Sequence, residues 1–279
     1  MPLSKLLGPL SVLTTMVATA MLITDAEAGT YKVVACEAAV ATNDSWAPVA
    51  DRGMLAYAKC PSGGQESRGL VMRNDPKASV VSPGATASMT FAAPPGAELA
   101  DMTYVWRGAR ANGGWQLGIV GDRGGFLTGC RAGTAVVGQS CSVGYGPQNP
   151  RARSIALPGR RSVKFEVRCT SPLGCNIPPA RGGSGAGTAR LQVYSTSVTV
   201  KDDSAPQITA AGGGLWESRW LRGVQEAVFN ASDNVGVRAT RFTVDGALRN
   251  GEERGCDFTR RVPCSNVTGG RYQMDTNSL

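Results

Sequence analysis

From Gly29 onward, apolar residues recur at every second position in short runs, and Gly, Pro, Asn and Asp collect between the runs. A period of two places alternate side chains on opposite faces, so the pattern predicts half-buried antiparallel strands. Such strands are expected at 30–37 (TYKVVACE), 54–60 (MLAYAKC), 87–93 (ASMTFAA), 101–109 (DMTYVWRGA) and 115–120 (WQLGIV). The cleanest is 162–169, where Val163, Phe165, Val167 and Cys169 face one way and Lys164, Glu166 and Arg168 the other. Over 189–201 the phase changes, since Leu191 and Val193 are odd while Val198 and Val200 are even, and a β-bulge near Tyr194 is predicted. No convincing amphipathic helix interrupts these strands. The expectation for 29–203 is therefore one large β-sandwich, with a jelly roll as the favoured arrangement.

The stretch 91–110 (FAAPPGAELADMTYVWRGAR) reads as an outgoing strand, a proline-glycine turn and a return strand. In rhythm it resembles a hairpin of jelly-roll modules related to carbohydrate-binding and lectin-like domains. At 200–208 (VKDDSAPQI) two acids and Pro206 end the run of strands, and a second domain, 204–279, is expected. Its WLRG (220–223), ASDNVGV (231–237) and FTVDG (242–246) resemble bacterial Ig-like domains of extracellular enzymes and adhesins. The resemblance implies a turn at Asp233–Gly236 between two strands and a hairpin begun at Val244–Gly246. The family's pattern runs on for two strands past 272–279, so an incomplete Ig-like sandwich is expected. Trp216 and Trp220, four apart, have a helical spacing, but the flanking glycines argue for a turn.

Residues 1–28 carry Lys5, an apolar run from Leu6 to Ile23 and small residues at Ala26 and Ala28, the pattern of a cleaved secretory signal peptide. Losing them removes Lys5, Asp25 and Glu27 and moves the formal charge from +8 to +9. The positive charge is mostly Arg, spread thinly and densest at 151–168, which fits a solvated basic surface with a general attraction for polyanions rather than a nucleic-acid site. No segment of the mature chain is long and apolar enough to span a membrane.

All eight cysteines follow residue 28, as expected of an oxidising compartment. Nearness in sequence pairs Cys36 with Cys60, Cys130 with Cys141, Cys169 with Cys175 and Cys256 with Cys264. There is no C-x-x-C, which leaves a zinc site the weaker alternative, and there is no histidine at all. The latter excludes Ser-His-Asp and Cys-His pairs and H-E-x-x-H metal sites, leaving carboxylates, Tyr, Lys and Arg for acid-base work.

Those carboxylates do not form a convincing pair. Glu98 with Asp101, and Glu252 with Glu253, are the nearest acids to each other and are expected in or beside turns. Glu166 reads as one rung of a surface charge ladder with Lys164 and Arg168. The glycine-rich 181–190 lacks the lysine of a phosphate loop and reads as a flexible connection. Asp233 and Asp245 are expected to fix turns by accepting backbone N–H groups, with calcium as the alternative.

Aromatic stacking on a sugar is the remaining recognition chemistry. Trp46, Trp106 and Trp115, with Arg107 and Arg110 as hydrogen-bond donors, are the candidate ligand-binding residues. The function expected is that of a secreted, non-catalytic protein without cofactors or metal, binding extracellular polysaccharide or another cell-envelope polymer, with the Ig-like domain as spacer. An accessory region of a larger extracellular hydrolase, or a structural envelope component, are the alternatives.

Overall fold

The computed structural model of the chain describes residues 29–37, 44–60, 68–111, 113–131, 141–144, 151–176, 189–217 and 219–278. The signal peptide expected at 1–28 and most of the glycine-rich connection lie outside the described residues. The described fold is all-β and antiparallel. In chain order its first fourteen strands are β1 (Gly29–Ala35), β2 (Ala47–Ala50), β3 (Met54–Lys59), β4 (Gly69–Asn74), β5 (Val80–Val81), β6 (Thr86–Ala92), β7 (Glu98–Arg110), β8 (Trp115–Gly121), β9 (Phe126–Cys130), β10 (Cys141–Gly144), β11 (Arg153–Arg160), β12 (Ser162–Cys169), β13 (Cys175–Asn176) and β14 (Ala189–Asp202).

Four antiparallel pairs build the first sandwich: β4 with β14, β6 with β12, β7 with β11, and β8 with β9. They unite into two sheets, one containing β4-β14-β7-β11 and the other β6-β12-β8-β9. Pairs nested in this sequence order are the double Greek key of a jelly roll. Strand β3 extends the first sheet beside β4, β1 runs along the C-terminal half of β14, β10 lies on the C-terminal half of β7, and β2 edges the second sheet.

The phase change in β14 is a bulge between Val193 and Ser195 on the ladder with β7. A glycine faces it: a Cβ on Gly69 would lie 2.1 Å from the Val193 carbonyl oxygen, so only Gly fits there. The stretch 91–110 is not a hairpin. Strands β6 and β7 belong to different sheets, and the turn closed by the Ala97 N–H on the Pro94 carbonyl carries the chain across the sandwich. Strand β4, which no alternation announces, has Leu70, Val71 and Met72 all fully buried.

Between the sheets lies one core running from Val33 to Val200. Phe165 stands at its centre, with ring centroids 5.0 Å from Trp46, 5.9 Å from Tyr104 and 6.3 Å from Trp106. The four cysteine pairs expected from spacing are disulfides. Cys130–Cys141 joins β9 of one sheet to β10 of the other. It thereby fixes the sheets to each other where only short strands meet.

Beyond Asp202 come β15 (Gln207–Gly212), a single 3-10 turn (Gly214–Trp216), β16 (Val224–Ser232), β17 (Ala239–Val244), β18 (Ala247–Glu253) and β19 (Val267–Asp275). A three-stranded sheet, β15-β16-β19, faces the hairpin β17-β18. Asp245 (φ 52°) and Gly246 (φ 78°) turn that hairpin, both with the positive φ that a tight two-residue turn requires. The core here is small: Phe229, Ala231, Val237, Val267 and Tyr272, with Phe242 packed against it.

The two parts touch. Val34 N–H donates to the Phe258 carbonyl at 3.0 Å and the Tyr31 hydroxyl to the Arg261 carbonyl at 2.6 Å. On the other side of this contact, Asn234 Nδ2 donates to the Pro95 carbonyl (2.9 Å) and to Asp202 (3.0 Å).

Candidate binding face

The three tryptophans expected to meet a ligand are in the core. Trp46 is 3% exposed, Trp106 2% and Trp115 0%. Tyr104 and Trp106, two apart on β7, both point inward, and their rings meet edge to face at 5.0 Å. A ring closed in on both sides offers no plane to a sugar, so stacking at these positions is ruled out. Arg110 is also inward, 3% exposed, with Nη1 donating to the Trp115 carbonyl; burial lowers its pKa from the usual guanidinium value. Of the five candidates only Arg107 faces solvent.

Cross-strand register gives Arg107 new neighbours. On the outer face of the first sheet, Arg73 of β4 stands directly opposite Arg190 of β14, and Gln192 of β14 stands opposite Arg107 of β7. Direct partners have Cβ atoms about 5 Å apart and diagonal ones about 7–8 Å, so three guanidinium groups share one small area. On the same face β3 brings Leu55 opposite Arg73, Tyr57 opposite Val71, and Lys59 one step further, its Nζ 5.9 Å from the Tyr57 ring centroid. Arg190 Nη2 donates to Gln192 Oε1 at 3.0 Å, and Arg73 Nε to the Asn74 carbonyl at 3.2 Å. Both bonds orient a guanidinium against a neutral acceptor. Val71 and Gln192 of the same face are buried, Gln192 Nε2 donating to the Arg68 carbonyl, so Arg73 and Arg190 are half-buried and Arg107 is the exposed guanidinium of the three.

The arginine-rich 151–168 behaves differently. Its charges are dispersed among acids. Arg160 pairs with Asp122 at 3.2 Å, and the Arg161 N–H, the largest influence, holds the Asp122 carboxyl below the usual range together with Arg123 N–H and Arg160. Lys164 Nζ lies 2.6 Å and Arg168 Nε 2.9 Å from the oxygens of Glu166. The expected charge ladder is present, but Glu166 is 2% exposed, roofed by its two cations rather than wetted. Glu98 opens β7 beside the Pro94–Ala97 turn, as expected, while Asp101 lies three residues into the strand and accepts the Thr199 hydroxyl at 3.0 Å.

The chain matches no protein-family model and no curated protein sequence. Among the described residues no three His, Cys, Asp or Glu side chains gather as metal ligands. Asp233, the calcium alternative, accepts the Val235 N–H at 2.8 Å and so fixes the turn that follows β16. Among the described residues no helix is long and apolar enough to cross a membrane.

Sequence reasoning missed Arg73 and Arg190. They are 117 positions apart in the chain, and only the β4-β14 register brings them together. The local signal, a charged residue at an outward strand position, is common to most strands.

Proposed function

We propose that this chain is a secreted, non-catalytic binding protein whose jelly roll holds an anionic surface polymer, an acidic polysaccharide, on the outer face of its first sheet. The C-terminal sheets act as a spacer domain. The observation that carries this reading is the Arg73–Arg190 juxtaposition with Arg107 on the diagonal. Flat strands present their side chains along a line, so a polymer with regularly spaced carboxylates or sulfates can meet several guanidinium groups at once. Tyr57 beside Lys59 adds a ring at the edge of the same face. Four disulfides fit an extracellular site of action.

The test is binding of the chain from Gly29 to an acidic and to a neutral polysaccharide across a salt series. Affinity for the acidic polymer is expected to fall steadily with salt, and Arg73→Glu with Arg190→Glu should weaken it about tenfold or more at low salt. Equal binding of both polymers, or an unchanged affinity in the double variant, overturns the reading.

A further inference from the structure

Among the described residues of the C-terminal sheets, Ile208 and Val262 are exposed on the β15 and Cys256–Cys264 segments near the jelly roll, while the more exposed Trp220, Val224 and Leu248, with Trp216, belong to the opposite pole. Strand β16 runs from Val224 to Ser232, and the junction with the jelly roll is made just after it, at Asn234. The described residues of the loop before β16, 213–217 and 219–223, therefore lie at the far end, about 30 Å away along a nine-residue strand. In this loop Trp220 is 100% exposed and Trp216 44%. Val224, 67% exposed, continues the surface. Strand β17 runs away from the junction, so its hairpin turn at Asp245–Gly246 lies at the same pole, and Leu248 just beyond the turn is 61% exposed.

The loop is built, not slack. Trp216 N–H donates to the Gly213 carbonyl at 3.2 Å, Gln225 Nε2 to the Arg222 carbonyl at 2.8 Å, and the Thr276 N–H to the Gly223 carbonyl at 3.0 Å. These bonds fix the chain on both sides of Trp220, whose side chain is fully exposed. Two cations, Arg219 and Arg222, stand on either side of Trp220; Arg219 is tied to Glu217, and Arg222 is exposed.

We infer that this pole is a membrane-surface anchor, in which Trp220 and Trp216 enter the headgroup layer of an anionic bilayer and Arg222 meets lipid phosphate. Three features favour a bilayer over a sugar chain. The surface is made by a loop and a hairpin turn at the end of the sheets rather than by a sheet face, whereas a polysaccharide lies along a groove or a flat platform. Its further members, Val224 and Leu248, are aliphatic and offer nothing to hydroxyl groups. Indole beside guanidinium is the pairing that suits the interface, with the ring at headgroup level and the cation on phosphate. Placed opposite the junction, the tip would meet a bilayer without obstruction from the jelly roll. This inference stands apart from the polymer reading, since it uses neither the first sheet nor its arginines.

The experiment is co-sedimentation of the chain from Gly29 with phosphatidylcholine vesicles containing phosphatidylglycerol, at low salt and at about 1 M salt, where the screening length is about 3 Å. High salt silences attraction through the basic face and leaves insertion. Partitioning at high salt is expected to persist, to fall about tenfold in Trp220→Ala, and to be unaffected by Arg73→Glu with Arg190→Glu. Brominated lipid should quench part of the parent's emission, because Trp46, Trp106 and Trp115 are buried and out of reach. An unchanged melting temperature in Trp220→Ala, expected for so exposed a site, separates lost anchoring from misfolding. Equal high-salt partitioning of parent and variant, no partitioning at all, or loss in Trp220→Ala of binding to a neutral polysaccharide instead of vesicles overturns the inference.

Discussion

The jelly roll and the C-terminal sheets treat their large apolar residues in opposite ways. In the jelly roll Trp46 and Trp106 close around Phe165, Trp115 is fully buried, and the inward positions of both sheets fill one continuous core. In the C-terminal part the core reduces to Phe229, Tyr272 and a few small neighbours, β18 is exposed along its whole length, and both tryptophans look outward. One region is held by burial. The other depends on local devices: the tight turn at Asp245–Gly246, the Asp233 turn, the Cys256–Cys264 loop and the bonds that loop makes to the jelly roll. A region that spends few apolar residues on its own core has them available for its surface.

The largest effect should come from breaking the dominant core. Phe165→Ala removes the ring that bridges Trp46 of one side to Tyr104 and Trp106 of the other, and is expected to cost about 3–5 kcal/mol. Phe229→Ala, in a cluster already open to solvent at 8%, should cost less and leave the jelly roll's melting transition in place. Calorimetry that resolves the two transitions tests both. A Phe229→Ala loss equal to that of Phe165→Ala would mean that the two regions melt as one body and are held by burial alike.

Next in size is the disulfide Cys256–Cys264. It shapes the loop whose Phe258 and Arg261 carbonyls accept bonds from Val34 and Tyr31. Replacing both cysteines by Ala is expected to cost about 2–3 kcal/mol. The loss should fall on the C-terminal transition, and hydrogen exchange should quicken at Val34 N–H, which donates to the Phe258 carbonyl of this loop, while β7 and β14 stay protected. Uniform loss of protection across the jelly roll would refute this division of labour.

How much of this was legible beforehand follows from what each feature depends on. Cysteine pairing is short-range here, and spacing alone paired all eight. The bulge at Tyr194 was visible because it changes the phase of a single strand. Strand β4 was hidden because Leu70, Val71 and Met72 are buried on both sides, which removes the alternation that marks a strand. Period two showed that Tyr104 and Trp106 share a face, but the identity of that face depends on which sheet lies beneath it. The basic face needed the pairing of β4, β14 and β7, and no window along the chain contains it. Trp216 ends a single 3-10 turn and Trp220 lies in irregular chain beyond it, and a spacing of four does not tell an outward ring from one folded back.

The smallest effect bears on the seam between the two regions. Asp233 lies close to Asp202, and its pKa is raised first by burial, then by the Asp202 charge and a hydrogen bond shared with that carboxyl, against the opposing pull of the Val235 N–H. A folded-state pKa above the unfolded value of about 3.9 means that the native protein binds the proton more tightly. Its contribution to stability is therefore complete below the unfolded pKa and is lost as pH rises through the folded one. At neutral pH two carboxylates face each other across the junction. Asp233→Asn keeps an oxygen for the Val235 N–H, removes the repulsion and supplies a donor toward Asp202. The variant should melt higher than the parent near pH 7, by an amount equivalent to a few tenths of a kcal/mol once solvent screening is allowed for. Below about pH 4, where the parent's carboxyl is already protonated, the difference should vanish. Melting curves taken along a pH series decide it: a gap that widens toward acid, or one that is constant, would mean that the Asp202–Asp233 contact does not couple the C-terminal sheets to the jelly roll.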